Sequence, residues 1–126
     1  MRVYIAAPWV RKPEAIEVGK RFEAAGHVVT SRWFNHVGDP NDSTGFTSDF
    51  ADIQHQAAED MFDVLSSEAL VVLNLERSEG KAVETGIALA AGLVVISVGP
   101  RSNIFQTMGL EVATVEEALA ALEANS

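Results

Sequence analysis

Two apolar runs constrain this chain more than anything else in it. Ala69 to Leu75 reads ALVVLNL, and Leu93 to Val98 reads LVVISV. Neither alternates between apolar and polar residues, so each must be covered on both faces, as in the middle of a parallel sheet. The segment between them supplies the crossover. Lys81 to Ala91 reads KAVETGIALAA, rich in small residues and helix formers, and Gly92 ends it. A strand, a helix and a second strand joined by a right-handed crossover form the unit of an α/β sheet. Ala88, Gly86 and Ala91 are expected to let this helix lie close to the sheet.

The flanking segments extend the pattern. Arg2 to Ala7, closed by Pro8, predicts a first strand. Pro13 can open a helix, because its missing N–H costs nothing in the first turn. Ile16, Phe22 and Ala25 follow at helical spacing, and Gly26 ends the helix. His27 to Trp33 predicts a second strand. Residues 35–47 are polar and rich in Gly, Asp, Asn and Pro, which predicts a long loop of the kind used as a lid or binding loop. A helix is predicted from Ser48 to Ser67. Residues 101–109 form a loop with one helical turn, and Val112-Ala113 a short last strand. Thr114-x-x-Glu117 is a capping box opening a last helix to about Glu123. The alternation predicts a doubly wound parallel α/β sheet with helices on both faces and strand order 2-1-3-4-5. Ligands then bind beyond the carboxyl ends of the strands, at the switch point between strands 1 and 3. Residues 7–11, 74–84 and 99–103 line that crevice.

Composition narrows the function. The 126 residues, 48% of them hydrophobic, suit a single domain over 1–126 with a real core. There is no cysteine, which excludes disulfides, thiolate zinc sites and a cysteine nucleophile. Eighteen acidic residues against nine basic ones give a net charge of −9. A field of that sign repels phosphate polymers, so DNA or RNA is not expected as a partner. A small nucleoside or nucleotide in a locally basic pocket stays open. No apolar run approaches the roughly 20 residues that span a bilayer, and the apolar start is too short for a secretion signal. The expected location is the cytoplasm, without membrane association.

A few polar residues stand where a purely structural reading does not expect them. Glu84 is the only carboxylate of its predicted helix, about one turn in, where a helix N-terminus favours negative charge. It also falls in the predicted crevice, where a half-buried carboxylate can serve as a nucleophile. Asp60 shares a helical face with Ile53, Ala57 and Val64, flanked by Phe50 and Met61, and an unpaired charge in such a stripe is costly. Glu59 and Asp63 are expected to point away from that stripe into solvent. Both Glu84 and Asp60 admit a structural and a functional reading. Trp9 could stack on a flat ligand or cover the core edge. Arg11 and Lys12 could meet a phosphate or stand solvated. His27, His36 and His55 lack metal-ligand spacing, so no metal site is expected.

Taken in order, these segments resemble a known family. Val3-Tyr4-Ile5-Ala6-Ala7-Pro8-Trp9, Ala58-Glu59-Asp60-Met61, the glycine-bounded stretch from Gly80 to Gly92 and Gly99-Pro100-Arg101-Ser102-Asn103-Ile104-Phe105 are similar to segments of the nucleoside 2-deoxyribosyltransferase family. That family includes the related 2′-deoxynucleoside 5′-monophosphate N-hydrolases. The resemblance runs over nearly the whole chain. It implies a flavodoxin-like fold and a double displacement at the anomeric carbon, with no cofactor. It makes Glu84 the nucleophile and Asp60 the acid that orients it and assists the leaving base. It lends Asn103 to a neighbouring subunit's site, which implies a homo-oligomer with shared sites. Trp9 and the 35–47 loop would hold the base.

Gly80 opens the nucleophile's G-x-x-x-E-x-G setting. At Ser78, six residues before Glu84, transferases of this family carry an aspartate that contacts the sugar; the monophosphate N-hydrolases carry a serine that takes the 5′-phosphate. Arg11 is similar to their phosphate-binding arginine after a one-residue shift. Ala82 replaces a glycine usual in many members. Asn103 therefore implies a 5′-hydroxyl, while Ser78 and Arg11 imply a 5′-phosphate. The resemblance implies base transfer between 2′-deoxynucleosides, or N-glycosidic hydrolysis of a 2′-deoxynucleotide, as the activity. A nucleotide-binding sensor without turnover is the remaining reading.

Overall fold

The apolar runs become the central strands of a five-stranded, all-parallel sheet of order β2-β1-β3-β4-β5. The computed structural model describes residues 1–36 and 50–125. The strands are β1 (Arg2–Ala6), β2 (Val28–Val29), β3 (Ala69–Leu73), β4 (Val94–Val98) and β5 (Leu110–Val112). The helices are α1 (Lys12–Ala24), α2 (Phe50–Leu65), α3 (Glu79–Ala90) and α4 (Val115–Ala124). This is the flavodoxin-like α/β arrangement expected from the strand–helix alternation. In register, Ile5 of β1 lies beside Val71 of β3, and Val71 beside Ile96 of β4. All three are fully buried, as are Val3, Leu70 and Val72, so the unbroken apolar runs are apolar because helices cover both faces.

Several boundaries differ from the sequence expectation; the last strand is Leu110–Val112 rather than Val112-Ala113. The second strand is two residues long; the chain then turns into a 3-10 helix, Trp33–Asn35. The turn is set by side chains reaching the neighbouring strand: Trp33 Nε1 donates to the Ile5 carbonyl at 2.8 Å, and Ser31 Oγ accepts from the Ile5 N–H at 3.2 Å. β3 stops at Leu73, since Asn74 turns its side chain to Pro100 and Gln106. α3 starts two residues early, with Ser78 as N-cap and its Oγ accepting from Lys81 N. Glu79 therefore joins Glu84 on that helix. Ala88 makes the close approach to the sheet, whereas Gly86 and Ala91 are exposed and a Cβ on Gly86 would meet nothing within 4 Å. The expected loop over 35–47 lies outside the described residues from 37 onward, as do the first two residues of the helix expected from Ser48.

The last capping box forms as expected, with Thr114 Oγ1 accepting from Glu117 N at 3.2 Å. No helix is long and apolar enough to cross a membrane among the described residues. Past β4, a 3-10 helix, Ile104–Met108, returns the chain to the sheet edge. Its end at Gly109 passes so close to β4 that a Cβ there would sit 2.6 Å from the Val95 carbonyl oxygen. The obstructing atoms are the Val95 backbone and its Cβ, so nothing flexible can give way. Gly109→Ala is expected to lower the unfolding free energy by about 1–3 kcal/mol, read from urea denaturation.

Candidate active site

Tyr4 is the key to the site. It lies in the centre of β1, fully buried, and its hydroxyl donates a hydrogen bond to Glu84 Oε2. A buried phenol needs an acceptor, and α3 presents one over the carboxyl half of the sheet. Burial, with the neighbouring charges of Glu84 and Asp60, holds Tyr4 well above the ordinary tyrosine range, so it is a permanent donor. Tyr4 does not stand out as a site residue in the sequence. Its signal was a polar tip in the otherwise apolar VYIA strand.

Glu84 is half-buried on the face of α3 turned to β1. Glu84 stands deeper in its helix than the expected one turn. Glu84 is the sixth residue of α3, beyond the first turn where the dipole acts, and burial pushes its carboxyl up to about 8. The Tyr4 hydrogen bond pulls the other way, and the Asp60 charge adds to the rise.

Asp60 of α2 completes the group. Burial pushes it up to about 7, Asp63 and Glu59 add to the rise, and Arg32 opposes it. Its Oδ1 is buried and has no hydrogen-bond partner among the described residues. The Asp60 charge raises Glu84, and both carboxyls exchange protons near neutral pH. The Tyr4 donor favours the ionised form of Glu84, but burial outweighs it, so both carboxyls hold protons near neutrality and Glu84 the more firmly. A carboxylate and a carboxylic acid side by side suit attack at an electrophilic carbon together with protonation of its leaving group.

The other charges of α2 depart from expectation. Asp63 is 3% exposed rather than solvated, and it accepts from the Arg32 backbone N–H at 3.1 Å and from the guanidinium at 2.7 and 3.0 Å. Glu59 is half-buried, 3.2 Å from His36 Nε2 and 3.6 Å from Arg32. The stripe is displaced because the chain after β2 folds across α2, bringing Arg32 and His36 to residues 59–63. In turn Phe50 and Met61, placed beside the stripe, are exposed.

Trp9 packs at 6.1 Å between ring centroids against Trp33, with the Lys12 ammonium 4.7 Å above its ring. Lys12 also donates to the His36 carbonyl at 2.7 Å, so Trp9 stands one residue removed from the α2 charges. Arg11 is held by Glu76 at 2.7 Å and Glu14 at 3.3 Å. Ser78 caps α3, and Gly80 follows it in the exposed first turn. Asn103 Oδ1 accepts from Phe105 N and Gln106 N, capping its own 3-10 helix. Beneath these loops Lys81 is 2% exposed, donating to the Glu76 carbonyl at 2.6 Å and Asn74 Oδ1 at 3.3 Å, and burial lowers its pKa. Tyr4, Glu84 and Asp60 thus form one electrostatic group. Ser78 and Asn103 lie in the β3–α3 and β4–β5 connections, beyond the carboxyl ends of the strands, and Gly80 in the first turn of α3. No group of three or more His, Asp or Glu side chains suited to a metal occurs among the described residues.

No family model matches the sequence, and no curated protein is similar to it. By structure the chain is similar to the CMP N-glycosidase BcmB of Clostridium botulinum, with a TM-score of 0.60 and 18% identity, covering 98% of this chain and 99% of that one. The likeness establishes a shared fold along the full length of both chains.

Two predictions follow from the charge arrangement. Both carboxyls titrate higher in the folded chain than in the unfolded one, so folding binds extra protons between their usual range and about pH 7 to 8. Stability therefore falls as pH rises through that window. The urea midpoint should drop between about pH 5 and pH 9, and should drop less in the Asp60→Asn, Glu84→Gln double variant. Tyr4→Phe removes a donor that favours the Glu84 carboxylate, so the Glu84 carboxyl should titrate still higher, which carboxyl carbon NMR would register.

Proposed function

We propose that the protein cleaves the N-glycosidic bond of a nucleoside or nucleotide through a covalent glycosyl–Glu84 intermediate. The single observation that carries this reading is the pairing of a half-buried carboxyl, hydrogen-bonded by Tyr4, with a second carboxyl, Asp60, both raised so that they exchange protons near neutrality. With Oε2 engaged by Tyr4, the other oxygen of Glu84 attacks C1′. The C1′–N bond breaks with its electron pair passing to the base, and Asp60 gives the base its proton. Positive charge growing on the sugar is met by the Glu84 carboxylate. In the second step Asp60 accepts a proton from the incoming nucleophile, which displaces Glu84 from C1′ and leaves the configuration retained. A 2-deoxy sugar suits this chemistry, because no electron-withdrawing 2′-hydroxyl opposes the developing cation.

The acceptor defines the finer reading. The ordered motifs resembling the nucleoside 2-deoxyribosyltransferases favour a second nucleobase, making the protein a deoxyribosyltransferase. Ser78, at the position where those transferases carry aspartate, favours water as acceptor and a 2′-deoxynucleoside 5′-monophosphate as substrate. The activity of the structural neighbour, an N-glycosidase for CMP, supports the same hydrolytic reading. Arg11 would serve a phosphate only by leaving Glu76 and Glu14. A homo-oligomer with shared sites belongs to the proposal. Ile104, Phe105 and Met108, beside Asn103, are exposed and would carry it toward a neighbour.

Incubation with 2′-deoxynucleosides and their 5′-monophosphates, with and without a second base, tests the reading by chromatography. Exchange of bases supports transfer, and release of base from the monophosphate alone supports hydrolysis. Glu84→Gln should reduce either rate on the order of 10³-fold or more, and mass spectrometry of the quenched parent should find the sugar on Glu84. Cleavage that survives Glu84→Gln at full rate would overturn the assignment. Ligand binding without cleavage of any substrate would leave a sensor.

A further inference from the structure

The Asp60 Oδ1 atom is buried, yet no side chain among the described residues donates to it. That is tolerable while Asp60 is a neutral acid. It becomes costly once the proton has gone, because Glu59 and Asp63 of α2 set like charge beside the new carboxylate. Tyr4 of β1 is committed to Glu84, and the Arg32 guanidinium to Asp63 at 2.7 Å. One group is within reach. His36 Nε2 lies 3.2 Å from Glu59 Oε1 and 4.0 Å from Asp60 Oδ1.

The placement of His36 is built. Lys12 of α1 holds its carbonyl at 2.7 Å, and its ring is 13% exposed, between the two carboxyls. On the solvent side, His55 Nε2 is 4.0 Å from the other oxygen of Glu59 and is 80% exposed. A row of titratable groups therefore runs from the surface through Glu59 and His36 to Asp60.

We propose that His36 is the positioning residue for Asp60: its Nε2–H, resting on Glu59, moves to Asp60 Oδ1 when Asp60 gives up its proton, and stabilises the carboxylate left behind. The movement is under an ångström beyond hydrogen-bond range. No covalent bond changes at His36; the donor exchanges one acceptor for another. In the resting protein it remains a partner of Glu59, whose carboxyl the hydrogen bond with His36 holds below its usual range. The inference rests on the proposed glycosidic chemistry for its use in turnover, but the coupling of His36 to Asp60 is present without substrate.

Two measurements on the full chain separate these claims. In His36→Ala, the Asp60 carboxyl carbon should titrate about one unit higher than in the parent by NMR, because its facing donor is lost. His36→Gln, which restores a neutral donor of similar reach, should recover part of the shift and serves if the alanine variant does not fold. An unchanged Asp60 titration in the folded variants overturns the inference, whether or not the protein turns anything over. In turnover, His36→Ala should lower kcat about tenfold with KM little altered. It should also move the alkaline limb of the pH–rate profile upward, since that limb follows deprotonation of Asp60. A fall in kcat with the limb in place would mean that His36 only supports the fold, and would overturn the proposed role. A shifted Asp60 titration in a protein that cleaves no glycosidic bond would sustain the coupling and reject the proposed function instead.

Discussion

A phenolic hydroxyl buried in the central strand of a sheet has to be given an acceptor, and the arrangement around it follows from that need. Tyr4 cannot reach water, so Glu84 comes down from α3 to meet it. The helix is able to lie that close because Ala88 presents almost no side chain to the sheet. The carboxyl is thereby drawn into a place where its charge is expensive, and its affinity for protons rises. A hydrogen bond that satisfies one buried polar group has created a second group poised to titrate near neutrality.

The surroundings of α2 show how the protein limits the cost of placing acids together. Glu59, Asp60 and Asp63 fall within one turn and a half of helix. Arg32 takes Asp63 with a charged hydrogen-bond pair, and His36 takes Glu59. Asp60 keeps a buried oxygen without a donor among the described residues. Neutralising two of the three acids leaves the third as the one whose proton is easily exchanged. The clamp also fixes the chain after β2 against α2, together with the 2.6 Å contact between the Thr30 and Ser67 hydroxyls.

The likeness to a CMP N-glycosidase fold adds scale to this picture, since both chains are covered almost completely. The shared scaffold spans 98% of this chain and 99% of the other. At the carboxyl ends of the strands it offers short connections and the helices that start there. Ser78 and Asn103 are spent in part on capping the elements they begin. Capping holds these side chains at the crevice while using their oxygens as acceptors, and leaves the hydroxyl proton of Ser78 and the amide N–H₂ of Asn103 as what they can offer a ligand.

The sequence by itself determined the sheet and its order. Unbroken apolar runs can only be central parallel strands, and Gly, Pro and capping residues punctuated the helices between them. It also singled out Glu84 and Asp60, because a carboxylate within an apolar or small-residue helix face is conspicuous at helical spacing. Only the tertiary structure decided what those carboxylates are. Tyr4, Arg32 and His36 lie far from their partners in the chain, and a tyrosine in an apolar strand reads as packing until its acceptor is known. Asp63 looked solvated because helical periodicity describes one helix face at a time, whereas a second chain segment crosses α2 and buries it. The short second strand was hidden for a related reason: β-rich residues 28–30 favour extension, but the side chains of Ser31 and Trp33 bond to Ile5 and turn the chain away. Local pattern sets which elements form; the pKa of a side chain depends on which distant groups the fold sets against it.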